Sequence, residues 1–194
     1  MKLAAWIYYI LDRRLGVASR FERLYKLDKD PFGCETYTYE QEKYHSVLNA
    51  LASNYSHILD VGCGTGVLTR LLAKRADRIT AVDFSPEAIK IARSNSHSPL
   101  HVLYECRDIR RLNPHQKYDL IVCSEVLYYL TPIEIDDFCR SVLESQIRGT
   151  RILTVGKTED SIVFPQLSKH FHVIKKLEFN TIRRPYSITI YEIR

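Results

Sequence analysis

The chain has 194 residues, 45% of them hydrophobic and 26% charged, with only seven glycines and seven prolines. That length sustains one domain with a single sizeable core, and the composition excludes a disordered, collagenous or repeat protein. The formal net charge of +5 sits in scattered pairs (Arg13-Arg14, Arg110-Arg111, Lys175-Lys176, Arg183-Arg184) rather than in a basic stripe with interleaved aromatics, so no nucleic-acid partner is expected.

Taken in chain order, the first apolar run is "LAAWIYYIL", Leu3 to Leu11. It is too short to cross a bilayer and is followed by Asp12-Arg13-Arg14 without a small-residue cleavage site. The expectation is a packed N-terminal helix and no membrane partner. "YHSVLNALASN", Tyr44 to Asn54, has helical apolar spacing. Ile58 to Gly62 reads as a buried strand, and "VLTRLLAKRA" as a helix opening close to Gly66. "RITAVDF" is a second strand, after which Ser85-Pro86-Glu87 supplies an N-cap, a first-turn proline and an acid for the helix "EAIKIARSN". "LHVLYECRD" is a third strand ending at Asp108, and "YDLIVCSE" a fourth ending at Glu125. "IEIDDFCRSVLESQ" is helical, "RILTVGK" is a fifth strand, and "PQLSKHF" a short helix. "HVIKKLEFN" and "YSITIYEIR" have no helix between them, and pair antiparallel through a turn near Arg184-Pro185.

Alternating strands and helices, with nearly continuous apolar strands, predict an α/β fold. It is a doubly wound, mostly parallel seven-stranded sheet with helices on both faces and the last strand antiparallel. Five cysteines, Cys34, Cys63, Cys106, Cys123 and Cys139, form no C-x-x-C pair. They read as reduced, buried thiols of a cytoplasmic protein. His97 with His101, and His170 with His172, lack a third ligand at recognisable spacing, so metal-free chemistry is expected.

In an open sheet of this kind ligands bind beyond the C-terminal strand ends. Those ends carry Asp60 with Gly62, Gly64 and Gly66, then Asp83, Asp108 and Glu125. The glycines let a ligand lie close to the backbone at a strand-to-helix turn. Val67 stands where the dinucleotide fingerprint needs its third glycine, and no lysine closes the loop as in a P-loop. Asp60 repels a pyrophosphate and attracts a cation. Asp83 is placed to accept hydrogen bonds from both hydroxyls of a ribose, and Phe84 to pack on a purine. A phosphate-free, cationic adenosine ligand meets these demands, and S-adenosylmethionine is one.

The segments "LDVGCGTGVLTRLLA", "ITAVDFSPEAIKIAR", "CRDI" and "YDLIVCSEVLYYL" resemble the successive motifs of class I S-adenosylmethionine-dependent methyltransferases. The resemblance implies that Asp60, Gly62, Cys63, Gly64 and Gly66 wrap the amino-acid part of the cofactor, and that Asp83 and Phe84 hold the ribose and base. It implies further that Asp108 and Ile109 face the adenine, and that Glu125 borders the methyl group. "LYKLDKDPFG", with "SEVLYYL", is similar to the small methyltransferases typified by nodulation protein S, which N-methylate the deacetylated end of a chitooligosaccharide. The chain departs from that type through most of residues 1–44.

Methyl transfer is an in-line displacement for which positioning supplies most of the acceleration. Glu125 is the first candidate to take a proton from an amine, with Tyr128 and Tyr129 shaping the site. Residues 1–44 are expected to form a helical, aromatic cap over the active site, and residues 45–194 the cofactor-binding core. Tyr37, Tyr39 and His45 are candidate acceptor-binding residues, since aromatic rings beside carboxylates suit a cationic or sugar-like acceptor. The leading expectation is N-methylation of an amino sugar or other amine by a monomer or homodimer. Three alternatives stay open: O-methylation with His45 as base, methylation of RNA or protein, and a non-catalytic cofactor-binding protein.

Overall fold

The structure, a computed structural model, describes residues 16–52, 54–95, 99–158, 162–181 and 184–194. The expected helix over Leu3 to Leu11, and His97, lie outside the described residues. Seven strands form one sheet: β1 (Tyr55–Val61), β2 (Ala76–Asp83), β3 (Val102–Cys106), β4 (Leu120–Ser124), β5 (Arg151–Lys157), β6 (His172–Phe179) and β7 (Tyr186–Glu192). Their order is β3-β2-β1-β4-β5-β7-β6. The first five are parallel, and β7 lies antiparallel between β5 and β6. The doubly wound, mostly parallel sheet with a final antiparallel strand is thus the observed architecture.

Among the described residues six α-helices accompany it: α1 (Val17–Leu27), α2 (Thr38–Ala50), α3 (Val67–Leu72), α4 (Pro86–Ser94), α5 (Pro132–Ser145) and α6 (Val163–His170). Strand side chains alternate between two buried layers, which is why both faces of the strands are apolar. Ile58, Leu120, Val122 and Leu153 pack with Val47 of α2, Leu68 and Leu72 of α3 and Ile89 of α4. Leu59, Val61, Ile121 and Ile152 pack on the other face with Ile135, Phe138 and Val142 of α5 and Leu167 of α6.

Helices α4 and α5 start as their sequences dictate. The Ser85 hydroxyl accepts the Ala88 N–H ahead of Pro86. Thr131 and Glu134 form a reciprocal capping box around the first turn of α5.

One helix differs from expectation in its bounds. Helix α2 runs over Thr38–Ala50 instead of residues 44–54. Its inward face is Glu40, Lys43, Tyr44 and Val47, all buried, and half of that face is charged, so the apolar periodicity conceals the first turns. Helix α1 lies within residues 1–44, the segment expected to be helical and aromatic, for which no helix bounds were set. It buries Phe21, Leu24 and Tyr25, and Phe21 and Tyr25 form a small aromatic cluster with Phe32, Phe84 and Ala88, separate from the two main layers. All five cysteines are free thiols, but only Cys123 and Cys139 are buried as expected: Cys34 and Cys63 are half-buried, and Cys106, at the end of edge strand β3, is exposed. Among the described residues no helix is long and apolar enough to cross a membrane.

Candidate active site

The strand order reverses between β1 and β4, and the crevice at this switch point opens into a cavity of about 800 Å³. Its floor is the β1–α3 turn. Gly62 there has φ 74°, and a Cβ on it would stand 2.7 Å from the Val126 side chain. No L-residue fits that combination without strain, so the position requires glycine. The Gly62 and Cys63 amides both donate to the Val82 carbonyl, at 2.8 and 3.0 Å, so the loop hangs on the end of β2. The Gly64 amide donates to Asp83 Oδ2 at 2.9 Å, and the Ser85 amide donates to Asp83 Oδ1 at 2.9 Å.

Two carboxylates are buried in this floor. Asp60 is 2% exposed and accepts the Thr69 hydroxyl on Oδ2 at 2.6 Å. Burial is the main cause that pushes its carboxyl up to about 6, reinforced by nearby Asp83; the Thr69 hydroxyl opposes it. None of these causes is a cation. Burial likewise raises Asp83 above the ordinary aspartate range, although its two backbone donors pull the other way. Two buried acids without a basic neighbour setting their charge fit a ligand that brings its own positive charge and hydroxyl donors. S-adenosylmethionine is such a ligand, and pyrophosphate is not.

The walls follow from the neighbouring strand ends. Phe84 and Ile109 line the cavity on the β2–β3 side. Asp108 lines it too, but both its oxygens accept from the Arg110 guanidinium, which holds its carboxyl below the usual range. On the β4 side Glu125 follows Ser124 with φ 57°, a left-handed conformation that a glutamate adopts at a cost of about 1–2 kcal/mol. Its Oε2 accepts the Tyr128 hydroxyl at 2.6 Å and its Oε1 accepts the Lys43 ammonium at 3.0 Å. Lys43 also pairs with Glu40 at 2.7 Å. Burial and the Glu125 carboxylate raise the Tyr128 phenol far above its ordinary range, so it stays a donor.

The roof comes from α1 and the loop after it. Phe21 bridges the two sides, with its ring 5.9 Å from Phe84 and 5.1 Å from Tyr129. Glu22 accepts the Ser85 hydroxyl at 2.5 Å, and the Tyr25 hydroxyl stands 3.0 Å from where a Cβ of Gly64 would be.

The structure therefore gathers Asp60, Gly62, Cys63, Gly64, Asp83, Phe84, Asp108, Ile109, Glu125, Tyr128, Tyr129 and Tyr39 around one cavity. Three of the expected site residues do not line it. Gly66 caps α3 instead and abuts the Tyr104 ring. Tyr37 lays its ring on Gly33 and is 39% exposed. His45 points outward from α2. Glu40, one of the carboxylates beside the candidate tyrosines, lines the cavity, and so do Lys43, Phe21 and Tyr25, which were not singled out from the sequence. The aromatic spacing of Phe21 and Tyr25, one helical turn apart, was a usable signal. The buried pair Glu40–Lys43 carried none, because i, i+3 charges on a helix ordinarily face water. Among the described residues no group of three or more His, Cys, Asp or Glu side chains is arranged to hold a metal.

A Rossmann-like sheet with this glycine turn and two buried carboxylates at its switch-point cavity defines an S-adenosylmethionine-dependent methyltransferase. The family model of Nodulation protein S (NodS) matches residues 19–163. Nodulation protein S of Bradyrhizobium diazoefficiens is 32% identical over 158 residues, which cover 80% of this chain and 70% of the relative. The chain belongs to the nodulation protein S family. It spans about half the length of three other rhizobial members that it matches. The crystal structure of the N-methyltransferase NodS from Bradyrhizobium japonicum WM9 with S-adenosyl-L-homocysteine superposes with a TM-score of 0.82 at 20% identity. That match covers 91% of this chain and 97% of the other, and shows the shared fold. A ubiquinone biosynthesis O-methyltransferase of Coxiella burnetii is 40% identical over 76 residues, covering 38% of this chain and 32% of the relative.

Proposed function

We propose that the protein methylates the nitrogen of a small amine, an amino sugar being the preferred class. The observation that supports it best is Glu125. Its carboxylate is fixed at the β4 end of the cavity by Lys43 and Tyr128, and each of its oxygens keeps a further lone pair for an acceptor. S-adenosylmethionine, when bound, supplies a methyl group already activated on a sulfonium. Asp60 would face its positive end, Asp83 would accept from its hydroxyls, and Phe84 and Ile109 would border its base. Asp108, engaged with Arg110, closes the far edge.

The chain's remaining task is to present a neutral amine in line and to receive one proton. As the amine N–H breaks, an oxygen of the Glu125 carboxylate takes the proton as a general base. Tyr39, Tyr128 and Tyr129 offer ring faces to a cationic or sugar-like acceptor. Helix α1 and the segment to residue 44 act as the cover that excludes water. NodS of Bradyrhizobium japonicum is an N-methyltransferase, which agrees with an amine acceptor. His45, the base that O-methylation was expected to use, is turned away from the cavity.

The test is release of S-adenosylhomocysteine from purified protein offered deacetylated chitooligosaccharides, amino sugars, simple amines, phenols, carboxylates and bulk RNA. Release confined to the amino compounds is the expected result, and release confined to phenols or RNA refutes it. In calorimetry Asp83→Ala is expected to weaken S-adenosylmethionine binding at least about 10-fold, because a buried carboxylate that bonds two hydroxyls contributes more than 1.4 kcal/mol. Unchanged binding in that variant rejects the ribose assignment.

A further inference from the structure

Lys43 is only 3% exposed, yet it lies in the wall of a cavity meant for a cationic ligand. Burying an ammonium costs several kcal/mol unless it is well paired. Here it has two partners, Glu40 Oε2 at 2.7 Å on its own helix and Glu125 Oε1 at 3.0 Å on the opposite strand end. Burial works against the charged lysine, and the two carboxylates outweigh it and hold the ammonium charged. The Tyr39 ring lies 5.2 Å below the ammonium and adds a third favourable contact.

The beneficiary is Glu125. Its backbone is in the left-handed region, where a glutamate does not stay by preference, and its amide is held by the Val155 carbonyl at 2.9 Å. Its side chain has three rotatable bonds and is one-third exposed to the cavity. Two ties fix the carboxylate, one to each oxygen, from Lys43 and from Tyr128. Lys43, Glu40 and Glu125 together carry a net charge of −1, from two carboxylates and one ammonium, so the group still attracts one cation.

We propose that Lys43 is a positioning residue for methyl transfer: anchored by Glu40, it fixes the Glu125 carboxylate in the orientation that meets the acceptor. The inference rests on Glu125 being the acceptor-side group. A carboxylate held at two points presents its remaining lone pairs in one direction, whereas a carboxylate held only by Tyr128 pivots about that hydroxyl. A misplacement of 1 Å at a reacting centre costs about 100-fold in rate. Glu40 in turn keeps Lys43 from following Glu125 into the cavity.

The test uses the double variant Lys43→Met/Glu40→Gln, which removes both members of the intrahelical pair and so orphans no buried charge within α2. Calorimetry with S-adenosylmethionine verifies that the fold and cofactor pocket are intact. Crystal structures of wild type and variant then report the Glu125 side chain, which is expected to leave the Tyr128 hydroxyl or to spread over several conformers. With a chitotetraose bearing one free amino group as the probe, kcat is expected to fall about 10- to 100-fold. No further loss is expected when the double variant is combined with Glu125→Gln. A Glu125 side chain that keeps its single wild-type conformer overturns the proposal. So do rate losses that multiply with that of Glu125→Gln, since Lys43 would then act independently of it. The conformer readout requires no acceptor, so a wild type that fails to turn over the probe counts against the amine-acceptor reading and not against Lys43.

Discussion

Asp60 shows how a single buried residue exchanges stability for binding. Its carboxyl lies near 3.8 in an unfolded chain and about 6 in the fold, with burial as the first cause. Between those two pH values the folded protein holds a proton that the unfolded chain has released, so stability falls as pH rises through this window. Above about pH 6 the deficit is complete, at about 3 kcal/mol by the pKa difference. Asp60→Asn, which still accepts from the Thr69 hydroxyl, is expected to raise Tm at pH 7 and leave it unchanged at pH 4, read by calorimetric melting. The same variant is expected to weaken S-adenosylmethionine binding at pH 7, because a neutral amide does not compensate a cation. A rise in Tm with undiminished affinity separates Asp60 from the cofactor. The acid is legible in the sequence because it stands at the end of an apolar strand beside Gly62. Its burial partner Thr69 is not legible, since one threonine in a short helix has no signature.

At the scale of the element, α1 is held to the rest of the protein mainly by one aromatic patch. Phe21 packs against Phe32, Phe84 and Tyr129, and the cluster is separate from the two layers that sandwich the sheet. Truncating Phe21 to alanine therefore removes cover from the cavity without opening the main core. Full core Phe→Ala losses are about 3–5 kcal/mol. For Phe21→Ala a smaller global loss is expected, below about 2 kcal/mol or a Tm drop under about 8 °C, with S-adenosylmethionine binding weakened about 10-fold in calorimetry. A large Tm drop with normal affinity makes α1 a structural element and not a cover. Helix α2 carries the contrasting lesson. Its first two turns escaped the periodicity because Glu40 and Lys43 occupy the inward face where apolar residues are the rule. Helix α4 was legible because its cap is local chemistry, Ser85-Pro86-Glu87, whereas the Thr131–Glu134 capping box of α5 emerged only in the structure.

Across the whole molecule, the cofactor motifs all precede residue 126, yet the sheet that presents them depends on its last strand. β7 is paired on both sides, with β5 and β6, and its Ile188 and Tyr191 are fully buried, one in each layer. A chain ending at Phe179 leaves β5 as an open edge and β6 with no partner. Such a truncation is expected to abolish the cooperative thermal transition and S-adenosylmethionine binding together, although every glycine and acid of the site remains. Retention of binding in the truncated chain shows instead that the parallel half folds alone.

What the sequence by itself determined was the series of local signals: five apolar strands, the Ser85 cap, the glycine turn and the acids Asp60, Asp83, Asp108 and Glu125 that follow the strands. A parallel sheet gathers such residues at one edge whatever the intervening helices do, so their convergence was readable without coordinates. The tertiary structure alone decided which side chains face the cavity from elsewhere. Lys43 and Glu125 are 82 positions apart, Tyr39 reaches the Arg184 carbonyl across 145 positions, and Tyr37 and His45 turn away from the cavity. Contacts of that range depend on how a helix rotates on the sheet, and here the rotation buries a lysine and a glutamate against each other and against Glu125, which no hydrophobic pattern encodes.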